Sequence, residues 1–184
     1  MKLFLSIVII VFFLIAAAAI FVWSGRYNVA ATVPHWDITA RLMEEALNRS
    51  IKFHSRGIQP PSLKDLKLIK MGFREYHAMC RSCHGAPGYP QTEFAQGLYP
   101  KPPNLGSKDM PQLNDAELYW VVKNGIKMTG MPAFGPTHDQ DELWAIVAFL
   151  KRMPSIQSKE YEAMAKEAGL HKGGEKHRHG AKEQ

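Results

Sequence analysis

The apolar and polar positions divide the chain into helical stretches separated by loops. Leu3 to Trp23 carries no charge, and Ser6 is its only polar side chain. A helix of that length spans about 32 Å, enough for a hydrocarbon core of about 30 Å. Residues 24–36 read as a tether with turn signals. Residues 37–56 have Ile38, Leu42, Ala46 and Leu47 near one face, with Ile51 and Phe53 farther on, which predicts an amphipathic helix. Asp37 or Thr39 is its candidate cap, Gly57 closes it and Pro60-Pro61 stops it. A second such helix is predicted from about Leu63 to Arg81, capped by Ser62, with Leu66, Ile69, Phe73, Tyr76 and Cys80 at helical spacing. Gly72 inside that stripe costs about 1 kcal/mol of propensity against Ala, which predicts a close helix–helix approach there.

Gly and Pro are dense from Gly85 to Pro111, which predicts ordered loop. Asn114 caps a helix that ends at Gly125. After the loop 126–136, two overlapping boxes, Thr137…Gln140 and Asp139…Glu142, open a helix that runs to about Arg152, with Leu143, Ile146, Val147 and Leu150 as its stripe. A short charged helix is predicted over 158–168, closed by Gly169. His171 to His179 reads as a disordered tail, and its histidines as a solvated basic segment more than a preset metal cluster. No stretch alternates as a strand does. The fold class is all-α.

Composition changes the picture mainly by exclusion. The 184 residues are 46% hydrophobic and 22% charged, which argues against wholesale disorder. The net charge of +6 is spread along the chain, so no basic block marks a nucleic-acid surface. The Leu3–Trp23 run is long for a signal peptide, so an uncleaved anchor is expected; Ala16 to Ala19 keeps a cleavage site as the alternative. Lys2 on one side and Arg26 on the other lean slightly to an N-inside orientation, and Trp23, Tyr27 and Trp36 suit the far interface.

The two cysteines, Cys80 and Cys83, sit in Cys80-Arg81-Ser82-Cys83-His84. Cys-x-x-Cys-His is the attachment signature for c-type haem. Thiols about one helical turn apart can add to the two vinyl groups of a porphyrin edge, and His84 is then held beneath the iron. A thioredoxin-like reading wants a βαβ pattern that is absent, and a zinc half-site lacks its other half. The motif predicts a sixth ligand downstream. Met131, before Pro132 in a loop between helices, is the candidate, because the proline restricts it to extended backbone. Met128 is the competitor, and His138 at a helix start reads as part of a turn. Trp120 and Trp144 either shield the haem or fill the core, the latter favoured for Trp144. The proximal histidine also needs an acceptor for its second ring nitrogen, and the loop Pro102-Pro103-Asn104-Leu105 is placed to offer a carbonyl.

With Cys80 to Gly85, Pro103-Asn104-Leu105, Met131-Pro132 and the helix Glu142 to Leu150, residues 63–154 resemble the class I cytochromes c. The segments Tyr27-Asn28-Val29-Ala30-Ala31 and Pro34-His35-Trp36 look like the leader of a bacterial group of membrane-anchored monohaem cytochromes c. The resemblance implies a cytochrome c-like fold in which the first and last helices cross near a right angle, with Gly72 and Tyr76 meeting Phe149 and its neighbours. It implies one haem c bound through Cys80 and Cys83, His84 and Met131 as axial iron ligands, and Pro103 as the acceptor for His84. It places the haem domain in the periplasm, on the bacterial cytoplasmic membrane. The expected organisation is an anchor or signal peptide (1–23), a tether with an amphipathic helix (24–62), the haem domain (63–154), and a short helix with a His-rich basic tail (155–184). The expected function is electron transfer to redox protein partners at the membrane, without catalysis of its own. The alternatives are an electron-transfer subunit of a larger dehydrogenase or oxidase complex, or a haem ligand sensor.

Overall fold

The computed structural model describes residues 1–107 and 112–170. The tail from His171 onward, read above as disordered, lies outside the described residues, as does the end of the Gly/Pro loop at 108–111. Among the described residues there are helices, turns and one isolated bridge between Ala86 and Tyr89, and no strand. The chain divides into two units, Met1–Trp36 and Asp37–Gln184.

In the first unit, α1 (Lys2–Trp23) has 22 residues and buries none of them. It is long and apolar enough to cross a membrane. Beyond it, the Tyr27 hydroxyl pairs with His35 Nδ1 at 3.0 Å, and Trp36 stands edge-on to Tyr27.

In the second unit, α2 (Asp37–His54) stops two residues short of the sequence expectation, and Gly57 takes the left-handed φ of +83° beyond it. Next, α3 (Leu66–Glu75) begins three residues later than Leu63. Asp65 is the cap, accepting from the Lys67 amide at 2.9 Å, so Ser62 has no capping role. The helical run then continues past Arg81. A π-helical turn, Tyr76–Cys80, leads into α4 (Arg81–His84), and Gly85 at φ +67° reverses the chain. A four-residue helix, α5 (Glu93–Gln96), lies inside the segment read as loop. Both later capping boxes are informative. Asn114 and Glu117 form one at the start of α6 (Asp115–Asn124). Asp139 and Glu142 form the other at α7 (Gln140–Arg152), whereas Thr137 bonds back to the Phe134 carbonyl, not forward. After a 3₁₀ turn at Met153–Ser155, α8 (Ser158–Glu167) ends at Ala168 and Gly169.

The core is the seam between α3 and α7. At Gly72 an added Cβ would lie 1.8 Å from the Ala145 carbonyl oxygen, so only a glycine lets the two backbones meet. Tyr76 packs on Phe149 at 5.3 Å between ring centres, and Phe73 on Phe149 at 5.5 Å. Each such ring, fully buried, contributes about 1.5–3 kcal/mol of hydrophobic stabilisation. Trp144 is buried and stacks on Tyr119 at 4.1 Å, joining α7 to α6, so its role is core packing. Tyr161 of α8 closes the far side, with its ring 5.1 Å from Phe73. The seam therefore holds α3 and its continuation to His84 in one fixed position.

Candidate functional site: the Cys80–His84 turn and its loops

The continuous helix from Leu66 carries Cys80 into its last turns, so Cys83 and His84 follow on the same short α4. Both cysteines are free thiols. Cys80 is buried, and burial, with Cys83 beside it, pushes its thiol up to about 12. Cys83 is half-buried. The turn after His84 is fixed from the core: the Tyr76 hydroxyl donates to the Gly85 carbonyl at 2.6 Å.

His84 is oriented by the loop that follows. Its Nδ1 lies 2.9 Å from the Pro103 carbonyl oxygen, and its own carbonyl accepts from the Leu105 amide at 2.9 Å. A carbonyl only accepts, so Nδ1 carries the proton and Nε2 keeps its lone pair. Burial, partly opposed by the Pro103 bond, holds the ring neutral by lowering its pKa. A neutral imidazole with Nδ1 committed is the form that binds a metal.

Three residues in this arrangement escaped the sequence reading. The Gln91 side-chain amide donates to the carbonyls of Cys83 at 2.7 Å and Pro102 at 2.9 Å, tying the cysteine turn to the proline loop. The Thr92 hydroxyl donates to the Ser82 carbonyl at 2.9 Å. Gly106 lies so close to Ala86 that a Cβ would come within 2.7 Å of its backbone. No spacing rule marks these residues; a Gln in a polar loop reads as solvent-facing.

Met131 sits on a separate loop built onto the end of α6. Gly125 ends that helix at φ +65°, with no room for a Cβ against Met131 and Pro132. The Ile126 amide donates to the Met131 carbonyl at 3.1 Å, and the Met131 amide donates to Thr129 Oγ1 at 3.1 Å. Farther on, the amides of Phe134 and Gly135 donate to the carbonyls of Val122 and Lys123. Met131 is half-buried, whereas Met128 is 89% exposed at a positive φ of 61°. His138 belongs to a turn, with Nδ1 2.9 Å from Thr137 Oγ1 and Nε2 3.9 Å from Glu75. Trp120 is half-buried and stacks on His54 of α2 at 5.7 Å, so it seats α2 on the domain.

Two free thiols, an imidazole with one uncommitted nitrogen and a thioether on a fixed loop suit a covalent haem. Among the described residues, no group of three or more His, Cys, Asp or Glu is placed to hold a bare metal ion. Residues 67–150 match the family model described as cytochrome C oxidase, cbb3-type, subunit III. This segment is a class I cytochrome c-type haem domain. The match begins one residue into α3 and ends within α7, so it spans the seam, the cysteine turn and the Met131 loop, and leaves α1, α2 and α8 outside. A comparison with curated proteins found no match. The match supports a haem-based electron carrier and implies haem c as the cofactor of this segment.

Proposed function

We propose that the chain is a membrane-tethered periplasmic electron carrier with one haem c. In this reading Cys80 and Cys83 would attach the group, His84 Nε2 and Met131 Sδ would hold its iron, and the Pro103 carbonyl orients His84. The single observation that supports it best is the 2.9 Å bond from His84 Nδ1 to Pro103, which leaves Nε2 as the only ligating atom of that ring. When bound, the haem supplies a one-electron couple between ferrous and ferric iron. The residues supply the rest. His84 is held neutral and fixed in rotation, so its donor atom does not reorganise between the two oxidation states. Gln91 and Tyr76 hold the backbone on either side of it. Met131 offers a soft, neutral sulfur, which favours the reduced metal and raises the potential.

The organisation follows the boundaries at 23, 62 and 154, with α1 as anchor and α2 as part of the tether. Transfer of an electron makes and breaks no substrate bond, so the chain has no catalytic residue of its own. The test of attachment is intact-mass spectrometry of the protein produced with haem-maturation machinery. The mass should exceed that of the polypeptide by one haem, and the excess should survive acid denaturation. C80A/C83A should lose it; retention of covalent haem in that variant contradicts the assignment.

A second reading, an electron-transfer subunit of a larger oxidase, is supported by the description of the matched family. It requires a catalytic chain to accompany the protein through affinity purification under mild detergent. Isolation of the chain alone favours the tethered carrier.

A further inference from the structure

Helix α2 lies outside the matched family segment and presents two different faces. One face is used by the domain: Ile51 is buried, and His54 stacks on Trp120 of α6. The other carries Ile38, Leu42, Ala46, Arg49 and Phe53 at steps of four, four, three and four, which aligns them along the helix. Ile38, Leu42 and Phe53 on it are 59–63% exposed. A stripe of large apolar side chains in solvent, beside a face already packed, is a surface built for something else.

The charges around the stripe say what. Arg41 and Lys52 lie along one side of it, Arg56 lies over the Phe53 ring at 5.2 Å, and Arg49 is inside it. Glu45 is the one acid beside the stripe and is taken up by Arg49 at 2.6 Å, while Asp37 and Glu44 fall on other faces. At the carboxyl end of the stripe, Arg49, Ser50, Lys52, Phe53 and Arg56 line an open hollow of about 550 Å³ with no acid in its wall. Apolar side chains rimmed by long cations match the interface of a bilayer with anionic headgroups, where aliphatic stems sink and charged ends meet phosphate. The helix also begins only fourteen residues after the end of α1.

We propose that the Ile38–Leu42–Phe53 face of α2 docks on the surface of a bilayer containing anionic phospholipid. The inference deepens the tethered-carrier reading and draws its proximity argument from the anchor. Because the opposite face of α2 seats on α6, the helix that carries the Met131 loop, docking fixes how the cytochrome domain faces the membrane.

The test uses the full-length holoprotein in nanodiscs, with phosphatidylglycerol present or with phosphatidylcholine alone. A nitroxide is placed by Leu42→Cys, by Phe53→Cys, or by Glu44→Cys as a solvent-side control. The parent chain is labelled in parallel, so any signal from Cys80 or Cys83 is subtracted. With phosphatidylglycerol, positions 42 and 53 should show a several-fold rise in the ratio of oxygen to nickel-chelate accessibility, and position 44 should not. Equal nickel access at 42 and 44 in both lipids overturns the proposal. Immobilised labels that neither reagent reaches also overturn it, in favour of a protein occupant. If the chain leaves the disc fraction, the anchored reading fails instead. Flotation of that released protein with phosphatidylglycerol vesicles then decides α2 alone, binding supporting the proposal and failure to float overturning it.

Discussion

At residue scale, two positions bear the tightest constraints. Gly72 admits no side chain, because a Cβ would stand 1.8 Å from a backbone oxygen of α7. Gly72→Ala should therefore separate α3 from α7 and cost ~3 kcal/mol, the upper part of the usual overpacking range. Thermal unfolding followed at the haem band checks it; an unchanged midpoint would mean that the seam is not the close approach described. The glycine was legible in the sequence because its propensity cost demanded a compensation. Met131 is the proposed ligand, singled out in the sequence for a different reason, the proline behind it. Met131→His should keep a six-coordinate low-spin haem and lower the reduction potential, because imidazole favours ferric iron more than thioether does. Met128→His should leave the potential where it was, since Met128 is exposed at a turn. Potentiometric titration separates the two, and the reverse result would transfer the ligand role to Met128. Gln91 was not legible, because a side chain that bonds two loop carbonyls leaves no trace in periodicity or spacing.

At the scale of elements, α8 shows how an addition to the domain is secured. Tyr161 is fully buried among Phe73, Tyr89 and His77, and its hydroxyl meets His77 Nδ1 at 3.1 Å. Burial, then the Arg81 charge, lowers the pKa of His77. The folded protein thus keeps this ring neutral to a lower pH than the unfolded chain, whose histidine protonates from about 6.5. The stability is fully present above that pH and falls as the pH drops through the window below it. His77→Asn should flatten that acid limb relative to the parent, as read by denaturant midpoints between pH 7 and 5; parallel curves would remove His77 from the account. The sequence placed α8 correctly from its stripe of Tyr161, Met164 and Ala165. It missed the start of α3 because Ser62 and Asp65 are both competent caps, and only the fold decides which amide is within reach. It missed α5 because a four-residue helix is too short to show a period.

At the scale of the whole molecule, the cytochrome domain holds its turns in place, and the proposed role of α1 and of the outer face of α2 is to set where it works. The seam, the Gln91 clamp and the α6 end fix the Cys80–His84 turn and the Met131 loop. In the proposed reading, location is left to α1 and to the face of α2 that the domain does not cover. The full chain should remain in the membrane fraction through an alkaline carbonate wash. In spheroplasts, added protease should digest the haem domain. Release into the soluble periplasmic fraction would show a cleaved leader in place of an anchor. These outer elements were legible as segments, since α1 is uniformly apolar and α2 is amphipathic. The docking face proposed for α2 was not, because it depends on which face of α2 the domain already occupies.

The most direct test of the central claim is the optical spectrum of the purified full-length protein, oxidised and reduced, beside Met131→Ala and Met128→Ala. The parent and Met128→Ala should show the weak red charge-transfer band of methionine-bound ferric haem, and Met131→Ala should lack it. A high-spin ferric spectrum in the parent, or a band that survives in Met131→Ala, would contradict His84/Met131 ligation and the closed electron-carrier site built on it.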